Sequence, residues 1–80
     1  MTKKEYLRIK SKECGKTQKQ YKEDMKVNYI VLYKYEGKMT PLTDDEDMPV
    51  VFGGEEDAEL YMKEGDKLIT EQEYYDSVLG

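Results

Sequence analysis

The stretch VNYIVLYKYEGKMTPL, residues 27–42, determines the centre of the fold. Its first half alternates β-branched and aromatic residues with other types, which is typical of a strand over residues 27–35. Glu36-Gly37 then supplies a hairpin turn, and residues 39–42 return as a second strand. Pro41 has no backbone N–H to donate, so we expect this second strand at a sheet edge. One face of the first strand carries Val27, Tyr29, Val31, Tyr33 and Tyr35.

Two helices are predicted before this hairpin. Thr2-Lys3-Lys4-Glu5 and Thr17-Gln18-Lys19-Gln20 both have the form of a capping box, in which Thr and a Glu or Gln three residues later satisfy free N–H groups at a helix start. Cys14-Gly15 supplies a stop signal between them. The sequence therefore predicts helices over residues 3–13 and 18–25.

The chain after the hairpin predicts two more strands and two more helices. The apolar run at 48–52 is typical of a third strand. Residues 55–64 predict a helix with Tyr61 on its apolar face, and 67–69 predict a short last strand. A third capping box at 70–73 then opens a final helix.

The predicted class is therefore α+β, with the element order ααβββαβα and a mostly antiparallel sheet of three or four strands packed by helices. The 80 residues are expected to form a single domain, because a chain of this size buries only roughly 60% of its unfolded surface and has room for one core. Within it, residues 1–26 form a basic helical segment and residues 27–80 an acidic sheet-plus-helix core. Eight tyrosines help to build the thin core, since their hydroxyls can reach water.

Charge is distributed unevenly along the chain. Residues 1–26 contain nine basic and four acidic residues, a net charge of +5, whereas residues 27–80 contain four basic and fourteen acidic residues, a net charge of −10. Such asymmetry is typical of a surface for a charged partner. The alternative is that the basic segment packs against the acidic core and partly neutralises it.

The sequence argues against catalysis and against bound metals or cofactors. It has no histidine, which is the usual acid–base group near neutral pH. Cys14 lies at a predicted helix end, where the helix dipole does not activate a thiol. If Asp44 began a calcium loop of EF-hand type, Pro49 would occupy the position that requires glycine. We therefore expect a protein that is not an enzyme, with no catalytic residue, no metal and no cofactor.

The stretch TDDEDMPVVFGGEEDAE, residues 43–59, contains eight carboxylates and no basic residue. Acids at a helix start stabilise the positive end of the helix dipole. This accounts for the acids from Glu55 onward but not for Asp44 to Asp47, which precede the apolar run at 48–52. An acidic surface attracts a basic partner, and exposed tyrosines are frequent interface anchors. The predicted partner-binding residues are Asp44, Asp45, Glu46, Asp47, Glu55, Glu56, Asp57, Glu59, Tyr74 and Tyr75.

In size, acidity and its richness in Tyr, Lys and Glu, the chain resembles small phage- or prophage-encoded proteins, anti-CRISPR inhibitors among them. Many proteins of that group are acidic and occupy the nucleic-acid-binding surfaces of their targets. The resemblance is one of composition, so it assigns no role to any residue. It implies an inhibitor in the cytoplasm of a bacterial host, which agrees with the absence of any apolar run near the ~20 residues of a membrane span.

Three functional hypotheses follow. The first is a non-enzymatic interaction protein whose acidic surface occludes a basic, nucleic-acid-binding site on a partner protein, with no membrane partner. The second is a small DNA- or RNA-binding regulator, although the overall negative charge opposes direct binding of nucleic acid. The third is a module that pairs with a second copy as a homodimer through its edge strand or tyrosine face. The DNA- or RNA-binding regulator of the second hypothesis would contact phosphates through its basic residues Lys3, Lys4, Arg8, Lys10, Lys12, Lys16, Lys19 and Lys22.

Overall fold

The computed structural model describes residues 1–79 and shows a small α+β domain in which a three-stranded antiparallel sheet is packed by four helices. The sheet order is β2-β1-β3, so the long first strand is central and has a neighbour on each side. The elements are α1 (Lys3–Glu13), α2 (Gln18–Asp24), β1 (Tyr29–Tyr35), β2 (Lys38–Pro41), α3 (Glu55–Glu59), β3 (Lys67–Thr70) and α4 (Glu71–Ser77).

The predicted hairpin is confirmed. Glu36 and Gly37 both adopt positive φ angles, 50° and 82°, which is the backbone of the tight turn that matches the twist of two antiparallel strands. Tyr35 pairs with Lys38 directly across this turn. Pro41 ends β2, which lies at an edge of the sheet, as the missing N–H predicts.

The predicted third strand at 48–52 is wrong, so the observed order is ααββαβα. This segment makes isolated bridges, one from Phe52 to Tyr29 and one from Pro49 to Thr43. Pro49 has no N–H to donate, and Gly53-Gly54 follows Phe52 at once, so a continuous ladder does not form.

The helix predicted over 55–64 ends at Glu59. Beyond it, the Tyr61 amide donates to the Ala58 carbonyl at 3.0 Å, a tighter turn than that of an α-helix. The Asp66 carboxylate then accepts from the Lys63 amide at 2.8 Å, which draws the chain into a separate turn. Tyr61 therefore leaves the helical face on which the sequence pattern placed it.

The two faces of β1 pack against different helices. Ile30 and Leu32 point to the main core, while Val31 points to the opposite face, where α3 packs against β1 through the buried Ala58. This explains why a strand with alternating tyrosines is buried on both sides at its centre. The main core is formed by Tyr6, Leu7, Tyr21, Met25, Ile30, Leu32, Met48 and Tyr74.

A carboxylate, that of Glu71, lies inside this core with 0% of its surface exposed. It accepts hydrogen bonds from the hydroxyl of Tyr6, from the hydroxyl of Tyr21 at 2.5 Å and from the amide nitrogen Nδ2 of Asn28 at 3.0 Å. Within residues 1–79 no lysine or arginine forms an ion pair with it. Its charge is thus stabilised by three directed donors, each from a different part of the chain.

Local sequence places Glu71 at this point. Thr70 caps α4 through a complete capping box with Glu73, so the helix begins at Glu71. The Glu71 backbone amide donates to the Asn28 carbonyl at 2.8 Å. The first residue of α4 is therefore held by both its backbone and its side chain against the entry to β1.

Replacing Glu71 with alanine is expected to lower the free energy of unfolding by about 3 kcal/mol, since two buried hydroxyls and the half-buried amide of Asn28 would lose their acceptor at about 1 kcal/mol or more each. Urea unfolding followed by circular dichroism measures this change. Glu64→Ala, at an exposed acid, is the control and should change stability by less than about 0.5 kcal/mol. Equal stability of the two variants would contradict the role of the buried carboxylate.

Stability is also expected to depend on alkaline pH. Burial, together with the hydrogen bond to Glu71, raises the pKa of Tyr6 and of Tyr21 far above the ordinary tyrosine value. The folded protein thus keeps protons that the unfolded chain releases. The stability from these groups is complete below about pH 10 and is lost as the pH rises above it.

The free energy of unfolding, measured in urea at a series of pH values, is therefore expected to fall above about pH 10. The pKa of Tyr74 is raised by burial as well. Tyr21→Phe removes one of the three retained protons and should make this fall less steep. Tyr35→Phe alters an exposed ring and serves as the control. An unchanged slope in Tyr21→Phe would exclude this tyrosine as a source of the pH dependence.

Candidate functional site

The first acidic cluster, Asp44 to Asp47, forms a tight and exposed turn. The Asp44 carboxylate accepts from the backbone amides of Glu46 at 2.9 Å and Met48 at 3.0 Å. The Asp44 amide in turn donates to the Met48 carbonyl at 2.8 Å. Asp44 thus organises the turn, while the side chains of the other three acids point into solvent without a hydrogen bond to residues 1–79.

The charge of Asp44 is stabilised by its surroundings. The Met48 amide, and then the Glu46 amide, lower the pKa of Asp44, and the nearby positive charge of Lys10 acts in the same direction. This group is therefore fully ionised near neutral pH.

Lys10 attaches the basic segment to the acidic region. It is buried in α1, and its Nζ donates to the Pro49 carbonyl oxygen at 2.9 Å. It also lies 4.0 Å from the Glu13 carboxylate. Lys10 holds the chain just after the acidic turn against α1, so one basic residue of the N-terminal segment reaches this region.

The second acidic cluster occupies α3. Glu55, Glu56 and Asp57 form its first turn, Glu59 is its last residue, and all four are exposed. Gly54 precedes the helix and provides no side-chain cap. Acids in the first turn compensate for this because they interact favourably with the free N–H groups and the helix dipole.

None of these eight carboxylates forms an ion pair with residues 1–79. The ion pairs in this part of the chain lie elsewhere and include Lys3 with Asp76 at 3.7 Å and Lys26 with Glu23 at 3.1 Å. Lys16 also pairs with Asp24. The alternative in which the basic segment neutralises the acidic core therefore applies to Lys3, which pairs with Asp76, and to Lys10, whose charge acts on Asp44.

A groove of about 610 Å³ is lined in part by the chain next to each cluster. Thr43, which lines it, immediately precedes Asp44, and Tyr61, which also lines it, follows Glu59 by two residues. Asp44 lines a different groove together with Lys10, and none of the eight carboxylates is among the residues that line this one. Its other lining residues are Tyr33, Lys34, Leu42, Lys63, Glu64, Gly65 and Asp66.

The tyrosines expected at the surface are arranged differently from the prediction. Tyr74 belongs to the core, with 6% of its surface exposed and its ring centroid 5.9 Å from that of Tyr6, so its prediction as a partner-binding residue is corrected. Tyr75 is half-buried, and Lys3 Nζ lies 5.4 Å from its ring centroid. Tyr61, which the sequence placed on an apolar helix face, is 61% exposed instead.

The Cys, Asp and Glu side chains of residues 1–79 include no group of three or more placed to hold a metal ion. A second groove, of about 590 Å³, contains the exposed Cys14 and charges of both signs, with Lys16 beside Asp24. None of the described helices is both long enough and apolar enough to cross a membrane.

Comparison with protein-family models, curated proteins and solved structures finds no match to this chain. Its function is therefore inferred from the geometry and chemistry of its own surface.

Replacing Asp44 with alanine is expected to open the acidic turn, since the amides of Glu46 and Met48 would lose their acceptor. Amide hydrogen exchange measured by NMR should become faster at Met48. Asp45→Ala is the matched control, because the Asp45 side chain accepts no hydrogen bond from residues 1–79. Equal exchange rates at Met48 in the two variants would show that Asp44 does not organise the turn.

Proposed function

We propose that this protein is a non-enzymatic interaction module that inhibits a partner by placing its acidic surface over a basic, nucleic-acid-binding site. We define the acidic surface as Asp44, Asp45, Glu46, Asp47, Glu55, Glu56, Asp57 and Glu59. The observation that carries the proposal is that all eight carboxylates are exposed and without an ion pair in the described chain.

Unpaired surface charge of one sign has a cost, because like charges repel and destabilise the compact state. A basic partner removes that cost and gains electrostatic attraction, which increases the rate of association and selects against acidic partners. A site that binds phosphates with lysines and arginines has the complementary charge. Bound there, the domain would exclude nucleic acid by occupying the site and needs no chemical step.

The compositional resemblance to small phage-encoded inhibitors supports the same proposal, and with it action in the cytoplasm of a bacterial host. The geometry of the acidic turn is also compatible with the proposal. The acidic turn is organised by Asp44 and held against α1 by Lys10. The charges are therefore presented on an ordered backbone, which limits the entropy lost on binding.

A second candidate function is binding of DNA or RNA through the basic segment. Lys4, Arg8 and Lys12 follow one another at intervals of four residues along α1, are exposed and form no ion pair with residues 1–79. Such a stripe suits contact with phosphates. The net charge of −5 opposes it, so we rank it second.

The proposal is tested with two variants of equal charge change. One reverses Asp45, Glu56 and Glu59 to lysine within the acidic surface, and the other reverses Glu23, Glu36 and Glu64 to lysine outside it. Tagged wild-type protein is used to capture proteins from a bacterial lysate, which are identified after washing at low and high salt or with excess duplex DNA. We expect nucleic-acid-binding proteins that are released by salt and by DNA, with capture at least about tenfold weaker for the first variant and unchanged for the second.

Equal capture by both variants, or complexes that resist high salt, would contradict a role for the acidic surface. Recovery of nucleic acid itself would favour the second candidate. Recovery of nothing but the protein's own chain would favour self-association.

A further inference from the structure

We propose that the outer face of α1 binds α3 of a second copy of this protein, so that chains associate head to tail. The outer face of α1 carries a basic stripe formed by Lys4, Arg8 and Lys12. The opposing acids on α3 are Glu55, Glu56, Asp57 and Glu59. This contact goes beyond the proposed function and does not depend on it, because it needs no other protein.

The fold places these two charged surfaces on opposite sides of the sheet. Tyr6 and Leu7 of α1 pack in the main core together with Ile30 of β1. α3 packs instead on the other face of β1, through the buried Ala58. The sheet therefore separates the basic stripe from α3 within one chain, and a second chain is needed to bring the two surfaces together.

Both surfaces are exposed, and neither is neutralised by the described part of the chain. Residues 1–79 form no ion pair with the basic stripe or with the acids of α3. The charges also repeat at the same interval on the two helices. Arg8 and Lys12 are four residues apart, as are Glu55 and Glu59, which is about 6 Å along the axis of an α-helix. Two such helices lying side by side can pair their charges in register.

Two residues next to these surfaces are compatible with the contact. Leu60 follows α3 and is 81% exposed, and the aliphatic stems of lysine and arginine can cover an apolar group of this kind. Glu5 is the acid beside the basic stripe, and its carboxylate accepts a hydrogen bond from the Thr2 hydroxyl at 3.2 Å. Three cations against this one acid leave the outer face of α1 positive.

A second copy is favoured over nucleic acid as the occupant of the basic stripe. The phosphates of DNA would neutralise the stripe but would be repelled by the net charge of −5. A second copy neutralises the stripe of one chain and the acids of another in a single contact. The repulsion between two chains of −5 is screened beyond about 10 Å at about 0.1 M salt. Because the contact joins two different surfaces, it is heterologous and can repeat from copy to copy.

Sedimentation equilibrium of the purified protein tests the contact without any partner. In about 0.1 M salt we expect the average mass to rise with protein concentration up to about 1 mM, where weak contacts are populated. In about 1 M salt, where the screening length falls to about 3 Å, the protein should return to the monomer. A wild-type protein that stays monomeric in the lower salt would overturn the contact and leave the proposed function in place.

Charge reversal of either surface should weaken association at least about tenfold relative to a control of equal net charge, because like charges then meet. One variant reverses the basic stripe, Lys4, Arg8 and Lys12, to glutamate, and its control reverses Lys34, Lys38 and Lys63 to glutamate. The other reverses Glu55, Glu56 and Glu59 to lysine, and its control reverses Glu23, Glu36 and Glu64 to lysine. Equal association of a variant and its control would trace the effect to net charge and contradict the contact.

A chain that combines both reversals provides the decisive comparison. Its net charge stays at −5, because the two changes cancel, while the signs of the two surfaces are exchanged. It should associate as the wild type does, and circular dichroism checks that it is folded. A folded double variant that stays monomeric would overturn the pairing of these surfaces. A monomeric wild type that binds labelled duplex DNA through the basic stripe would assign the stripe to nucleic acid instead.

Discussion

The buried carboxylate of Glu71 is the interaction on which the rest of this small domain depends. Its three donors come from α1, from α2 and from the segment between α2 and β1, while Glu71 itself opens α4. One side chain therefore links four parts of a chain whose core is thin. A buried charge is costly when its donors are missing, so native packing is favoured over compact states that would leave this group without them. Burial, together with the hydrogen bonds to Glu71, raises the pKa of Tyr6 and of Tyr21.

Because Glu71 links the helices to one another, the exposed acids can lie in segments that have little regular secondary structure. The acidic turn and the five residues of α3 contribute little burial, with Ala58 the buried residue of that helix. They are held instead by backbone hydrogen bonds to Asp44 and by the contact of Lys10 with the Pro49 carbonyl. The domain thus separates a core that provides stability from an acidic surface whose charges are exposed, as the proposed function requires.

Much of the fold was predictable because its signals are local. The three Thr-x-x-Glu/Gln motifs cap α1, α2 and α4, and Glu36-Gly37 forms the hairpin turn. The errors arose where a local pattern competed with distant contacts. The apolar run at 48–52 resembles a strand, yet its residues divide between isolated bridges and the core. Tyr74 resembled an exposed anchor but is buried against Tyr6, a neighbour 68 positions earlier in the sequence.

The sequence by itself determined the α+β class, the starts of the helices, the edge position of β2 and the concentration of acids in residues 43–59. These depend on backbone preferences and charges within a few residues of one another. Tertiary structure alone decided that Glu71 is buried, that Tyr61 is exposed and that Thr43 and Tyr61 line one groove. Each of these features depends on which segments, distant in the sequence, pack together. Whether a side chain is buried is set by that packing and not by the residue type alone.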